Sequence, residues 1–141
     1  TAALAPASTG PVIVEPLLRS GELASLCRDH LRPHYAAHSA AAVQALREAC
    51  VGLPLRIHRP EGAFFLWLWF PGLPISSEEL YRRLNQRDVL LLSGHHFFPG
   101  VEHDDPHQHE CLRLSYAQPP ESVRAGIAIL AEEVRRAYER G

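Results

Sequence analysis

The stretch Ala63-Phe64-Phe65-Leu66-Trp67-Leu68-Trp69-Phe70 decides the fold class. It is an unbroken apolar run of eight residues, rich in aromatics and bounded by Pro60-Glu61-Gly62 and Pro71-Gly72. Turn signals on both sides and this composition predict a buried strand over Phe64–Phe70. Just upstream, Leu55 and Ile57 alternate with Arg56 and His58, the pattern of a half-buried strand. The two segments read as a hairpin across the Pro60–Gly62 turn. So many aromatics in one strand call for cover on both faces. The run is far shorter than the ~20 residues a membrane-spanning helix needs.

Downstream, Ser76 and Glu79 have the spacing of a capping box, and Leu80, Tyr81 and Leu84 give the helix behind it an apolar face. Val89–Leu92 reads as a short buried strand ending at Ser93-Gly94. His95–Glu110 is polar, histidine-rich and broken by Pro99-Gly100 and Pro106, so it reads as a long loop. Cys111–Tyr116 is a further strand. Pro119-Pro120-Glu121 opens a last helix striped by Val123, Ile127, Leu130, Val134 and Tyr138, with Arg135, Arg136 and Arg140 towards its C-terminal end.

Upstream, Thr1–Pro11 consists of small residues, proline and glycine, and reads as a leading loop. Val14, Leu17 and Leu18 share a helical face. Ser20 is a candidate N-cap for a helix carrying Leu23, Leu26, Cys27 and Leu31. Pro33 is expected to interrupt or kink this region. Tyr35, Val43, Leu46 and Cys50 then repeat at helical spacing until Gly52 and Pro54. The order of elements predicts an α+β architecture, a small sheet covered by helices. Residues 1–52 form a leading loop and connecting helices, and residues 53–141 the sheet domain.

Composition narrows the function. With 141 residues the chain fits one core, and 46% hydrophobic content favours folding. A net charge of −2, without a basic block, argues against a nucleic-acid partner. No signal peptide or membrane segment is visible, and Cys27, Cys50 and Cys111 are an odd count at wide spacings, which argues against a disulfide framework, so a cytoplasmic location is expected. All 14 basic residues counted as lysine or arginine are arginine. Without lysine, no side chain here can form a Schiff base with a carbonyl cofactor.

Arg113 is the leading candidate for a binding residue. Strand alternation places it on one face with Cys111 and Ser115, opposite Leu112 and Leu114. Its small neighbours leave a recess, and a planar fork on a rigid strand suits a carboxylate. The plainer reading pairs it with Asp104 or Asp105 on a wet surface. Histidines invite a metal reading: His34 and His38 stand i, i+4 on a predicted helix, while His107, His109 and Cys111 alternate as on one strand face. Neither spacing is a strong zinc signature, and no metal site is assigned. Cys27 and Cys50 lie on apolar stripes and read as core residues.

Several stretches together resemble the C-terminal part of the pyridoxal-phosphate-dependent class I/II aminotransferases, in particular the valine–pyruvate group. They run from Leu4-Ala5-Pro6 to Gly10-Pro11, then Arg59–Phe70, Leu73-Pro74-Ile75 with Glu79-Leu80-Tyr81, Gly94–Gly100 (GHHFFPG) and Cys111–Tyr116 (CLRLSY). The resemblance covers essentially the whole chain. His96 departs from it, since related sequences tend to have tyrosine there.

The resemblance implies the C-terminal small domain of a fold-type-I transferase that exchanges an amino group between L-valine and pyruvate. It implies that Arg113 binds the α-carboxylate, and that His95, Phe97 and Phe98 border a side-chain pocket. The same two phenylalanines also fit a plug at a domain interface. The cofactor, pyridoxal 5'-phosphate, and its lysine are expected in a large domain outside this chain, so this chain alone is expected to be inactive. Implied partners are an amino acid, a 2-oxo acid, the large domain and a second subunit in a homodimer. Two other readings stay open: a noncatalytic binding module derived from such a domain, and a histidine-based metal protein.

Overall fold

The computed structural model describes residues 9–101 and 105–140. At its centre is the expected hairpin. Strand β1 (Arg56–Ile57) runs antiparallel to β2 (Phe65–Trp69), with Arg56 opposite Trp69 and Ile57 opposite Leu68. On its other edge β2 pairs antiparallel with β4 (Cys111–Ser115), placing Trp67 opposite Arg113. The short β3 (Leu92–Ser93) pairs with the far side of β4, giving the order β1-β2-β4-β3.

Alternation along β2 divides its side chains between two layers. Leu66, Leu68 and Phe70 are buried. They join Leu46 of α3 (Arg32–Ala49), Leu80 and Leu84 of α4 (Ser77–Asn85) and Ile127, Leu130 and Val134 of α6 (Pro120–Arg140) in one core. The other face carries Phe65, Trp67 and Trp69, all half-buried. Helices therefore cover one face of this strand, and a thinner layer of loop aromatics and His107 lies against the other. This small sheet backed by helices is the expected α+β architecture.

The capping box is present: Ser76 Oγ accepts the Glu79 N–H at 3.2 Å, which satisfies one of the open donors at the start of α4. The predicted stripe of α6 also forms, with Ile127, Leu130 and Val134 buried and Val123 and Tyr138 packed at its margins.

Other expectations are corrected. Of the leading loop, residues 1–8 lie outside the described residues, while Thr9–Pro11 form the first turn of α1 (Thr9–Arg19). Proline is tolerated there because that turn's N–H groups have no intrahelical acceptor. Gly21, at φ 75°, rather than Ser20, is the N-cap of α2 (Glu22–Leu26), although Ser20 Oγ accepts the Glu22 N–H at 3.3 Å. Pro33 does not interrupt the chain of helices. A wider π turn, Cys27–Leu31, precedes it and leads directly into α3, with Pro33 in the first turn. Cys27 is exposed, and of the two helical cysteines only Cys50 reaches the core.

Val89–Leu92 is not a buried strand. Val89 N–H bonds to the Leu84 carbonyl at the end of α4, Leu90 is exposed, and only Leu92–Ser93 pairs with the sheet. The expected loop His95–Glu110 contains a 3-10 turn over Gly94–Phe97 and a one-turn helix, α5 (Pro106–His109). His107 and His109 therefore sit on a helix, and the strand-like alternation with Cys111 does not occur.

Helix α1 buries no residue. Val12, Ile13 and Leu18, with Leu26 and Leu31 beyond it, are exposed apolar side chains. No helix among the described residues is long and apolar enough to cross a membrane.

Candidate functional site

Arg113 projects from β4 on the aromatic face of the sheet, as alternation predicts. Its guanidinium carbon lies 4.1 Å from the centre of the Phe65 ring and 4.8 Å from that of Phe97. The expected recess between small neighbours is thus occupied by rings, which arrive from the adjacent strand and from the 3-10 turn. Trp67, directly opposite Arg113 in the ladder, meets Phe97 edge-on at 5.4 Å and lies 6.1 Å from Phe98. Among the described residues no carboxylate forms an ion pair with Arg113. Asp105 instead caps α5, accepting the His107 N–H at 2.9 Å, and Asp104 lies outside the described residues.

An arginine flanked by aromatic rings, with no internal counter-ion among the described residues, suits an external anion. The rings attract the cation through their quadrupoles. Arg113, Phe97 and Phe98 are thereby brought together. Phe65 and Trp67 complete the group; the sequence shows their strand, but their place beside Arg113 follows only from the register of β2 against β4.

His95 is tied into the fold by a chain of hydroxyl groups. Its Nδ1 is 2.7 Å from Ser93 Oγ, which is 2.6 Å from Ser77 Oγ. Ser77 and Ser93 are both buried, so this chain of polar groups satisfies itself inside the fold. Burial, first, and then the nearby His96 and His109 hold the His95 imidazolium below its ordinary pKa, while Glu78 opposes them. His96 itself is exposed, with its ring centre 3.9 Å from that of His95.

The remaining candidates separate. His34 and His38 do meet on α3, with ring centres 4.2 Å apart and planes tilted by 40°. Cys111 Sγ lies 3.6 Å from His107 Nε2, yet burial pushes its thiol up to about 11. No group of three or more histidine, cysteine or acidic side chains able to hold a metal occurs among the described residues.

The chain is 41% identical over 135 residues to the valine–pyruvate aminotransferase of Escherichia coli K12, a match that takes in 96% of this chain. The chain corresponds to the C-terminal part of that enzyme. It spans about a third of the relative's length, 32%. The crystal structure of the valine–pyruvate aminotransferase from Salmonella typhimurium LT2 superposes with a TM-score of 0.90 at 40% identity, over 98% of this chain and 36% of that one. The α-aminoadipate aminotransferase of Thermus thermophilus, solved with N-(5'-phosphopyridoxyl)-L-leucine, matches at a TM-score of 0.72 and 28% identity, over 91% of this chain and 31% of its own. No protein-family model matches the chain.

Proposed function

We propose that this chain serves as the small, carboxylate-gripping domain of an aminotransferase that exchanges the amino group between L-valine and pyruvate, giving L-alanine and 3-methyl-2-oxobutanoate. The observation that carries the reading is Arg113. It is a permanent cation on a rigid strand, flanked by Phe65 and Phe97 and unpaired with any carboxylate among the described residues. The 41% identity to a valine–pyruvate aminotransferase supports the substrate pair. The apolar surroundings formed by Trp67, Phe97 and Phe98 suit a branched aliphatic side chain.

Pyridoxal phosphate is the cofactor this reading implies, and the phosphopyridoxyl-leucine adduct of the Thermus relative supports it. The residues present do not fit that group by themselves. The sequence offers no lysine amine to hold it. This chain's part is therefore confined to binding and orientation: Arg113 fixes the carboxylate end of the substrate, and Trp67, Phe97 and Phe98 border the space beside it. The cofactor and its lysine belong to a large domain. The exposed apolar residues of α1 and α2 are a natural surface for that domain or for a second subunit of a homodimer in the cytoplasm. Nothing in the net charge of −2 favours a nucleic-acid partner.

The complete protein containing this chain, supplied with pyridoxal phosphate, should form alanine from pyruvate with L-valine as donor. Arg113→Ala should weaken binding of both the amino acid and the oxo acid by about 2–5 kcal/mol, the usual cost of removing one member of a buried charge pair. Unchanged apparent affinity for both would remove Arg113 from the site. Lack of any transfer from L-valine would overturn the substrate assignment. The absence of lysine favours a noncatalytic role only for the chain acting alone.

A further inference from the structure

The 3-10 turn Gly94–Phe97 is pinned at two places. At its start, Gly94 lies against β4: a Cβ there would stand 2.6 Å from both the Cβ and the carbonyl oxygen of Cys111. Within it, His95 is tied through Ser93 to the buried Ser77 of α4. A turn held at both strand and helix has little freedom to swing, and Phe97 at its end inherits that fixity.

We infer that Phe97 is a positioning residue for the carboxylate grip: with Phe65, it clamps the Arg113 guanidinium so that the substrate carboxylate meets an edge already aimed at it. An arginine side chain is otherwise long and free to turn, and here no carboxylate among the described residues holds it. The two rings, with centres 4.1 and 4.8 Å from its central carbon, supply the restraint. Rings this close to the central carbon limit how the guanidinium can turn, and a held fork suits a planar, two-point carboxylate contact. Phe97 thus acts through Arg113. The inference rests on the reading of Arg113 proposed above.

The experiment compares Phe97→Leu, Phe97→Tyr and Arg113→Ala in the complete protein, with L-valine and pyruvate as substrates. Phe97→Leu should raise the KM for both about tenfold while kcat changes by less than about twofold, and Phe97→Tyr, which restores a ring, should recover most of the loss. Equal KM values for Phe97→Leu and the wild type, or a Tyr variant as impaired as Leu, would overturn the role of Phe97. If Arg113→Ala also leaves both KM values unchanged, the carboxylate reading itself fails; if it raises them while Phe97→Leu does not, only the clamp fails. A second readout needs no turnover. In the complete protein labelled with nitrogen-15 arginine, the Nε–H proton of Arg113 should be displaced by ring currents and should move on Phe97→Leu, with the other arginines unchanged. An Arg113 resonance that ignores the substitution would also overturn the clamp.

Discussion

Gly94 packs so closely on Cys111 that there is no space for even a methyl group: an added Cβ would stand 2.6 Å from the Cys111 carbonyl oxygen. The obstacle is strand backbone rather than the end of a flexible side chain, so relief requires the turn or β4 to move. Gly94→Ala should therefore cost about 1–3 kcal/mol of stability, the range for overpacking. Gly62→Ala, which meets nothing within 4 Å, is the control and should stay within about 0.5 kcal/mol. Urea unfolding of the two variants checks this, and an unaffected Gly94→Ala midpoint would contradict it.

Glu110 ties the end of β2 to the start of β4. One carboxylate oxygen accepts Trp69 Nε1–H at 2.7 Å and the other accepts the Gly72 N–H at 2.8 Å. Glu110→Ala removes both bonds, which water replaces in part at the exposed Gly72 and half-buried Trp69, and should destabilise the chain by about 0.5–1.5 kcal/mol. The emission of Trp69 should shift to the red as its indole gains water. Tryptophan fluorescence during unfolding, compared with Trp69→Phe to isolate that residue, measures both effects.

The three thiols differ in access. Cys27 is exposed, whereas Cys50 and Cys111 are buried and burial pushes each up to about 11. A thiolate-selective disulfide reagent near pH 8 should label one thiol per folded chain, and Cys27→Ser should abolish that reaction. All three should react in denaturant. Rapid native labelling of Cys111 would show that His107 activates it after all.

The His95 imidazolium is disfavoured in the fold, chiefly by burial and next by His96, with His109 adding to the effect and Glu78 resisting it. Its native pKa lies below the ordinary 6.5, so the unfolded chain binds more protons between those two values. Stability from this group is complete above about pH 6.5 and is lost as pH falls towards the native pKa. His95→Gln should flatten that part of the pH–stability curve. Titration of the His95 ring by NMR, alongside urea midpoints from pH 7.5 down, provides the check; a native pKa above 6.5 would reverse the sign.

How far the sequence reached depended on whether a signal was local. The capping residues Ser76 and Glu79, the alternation through Leu66 and Leu68 and the stripe through Ile127, Leu130 and Val134 are written in neighbouring residues, and all three formed. The face of Arg113 was legible for the same reason. Its ring neighbours are not in the local pattern: Phe65 comes from another strand, and Phe97, named only through the resemblance, comes from a turn whose helical character is hidden by histidine and glycine. Cys27 shares the spacing of a core stripe, but α2 and the π turn bury no residue, so periodicity alone misplaced it. Leu90 looked buried by composition, yet it is exposed while Leu91 beside it is buried.

Strand β2 sends leucines to one side and rings to the other, and β4 matches it residue for residue. A one-residue slip between them would drive the Arg113 charge into a greasy interior and expel Leu112 and Leu114 into water. The placement of the cation is therefore set by leucines on the opposite face of the sheet. The leucine ladder on one side of the sheet is the ruler by which the ring wall on the other is set.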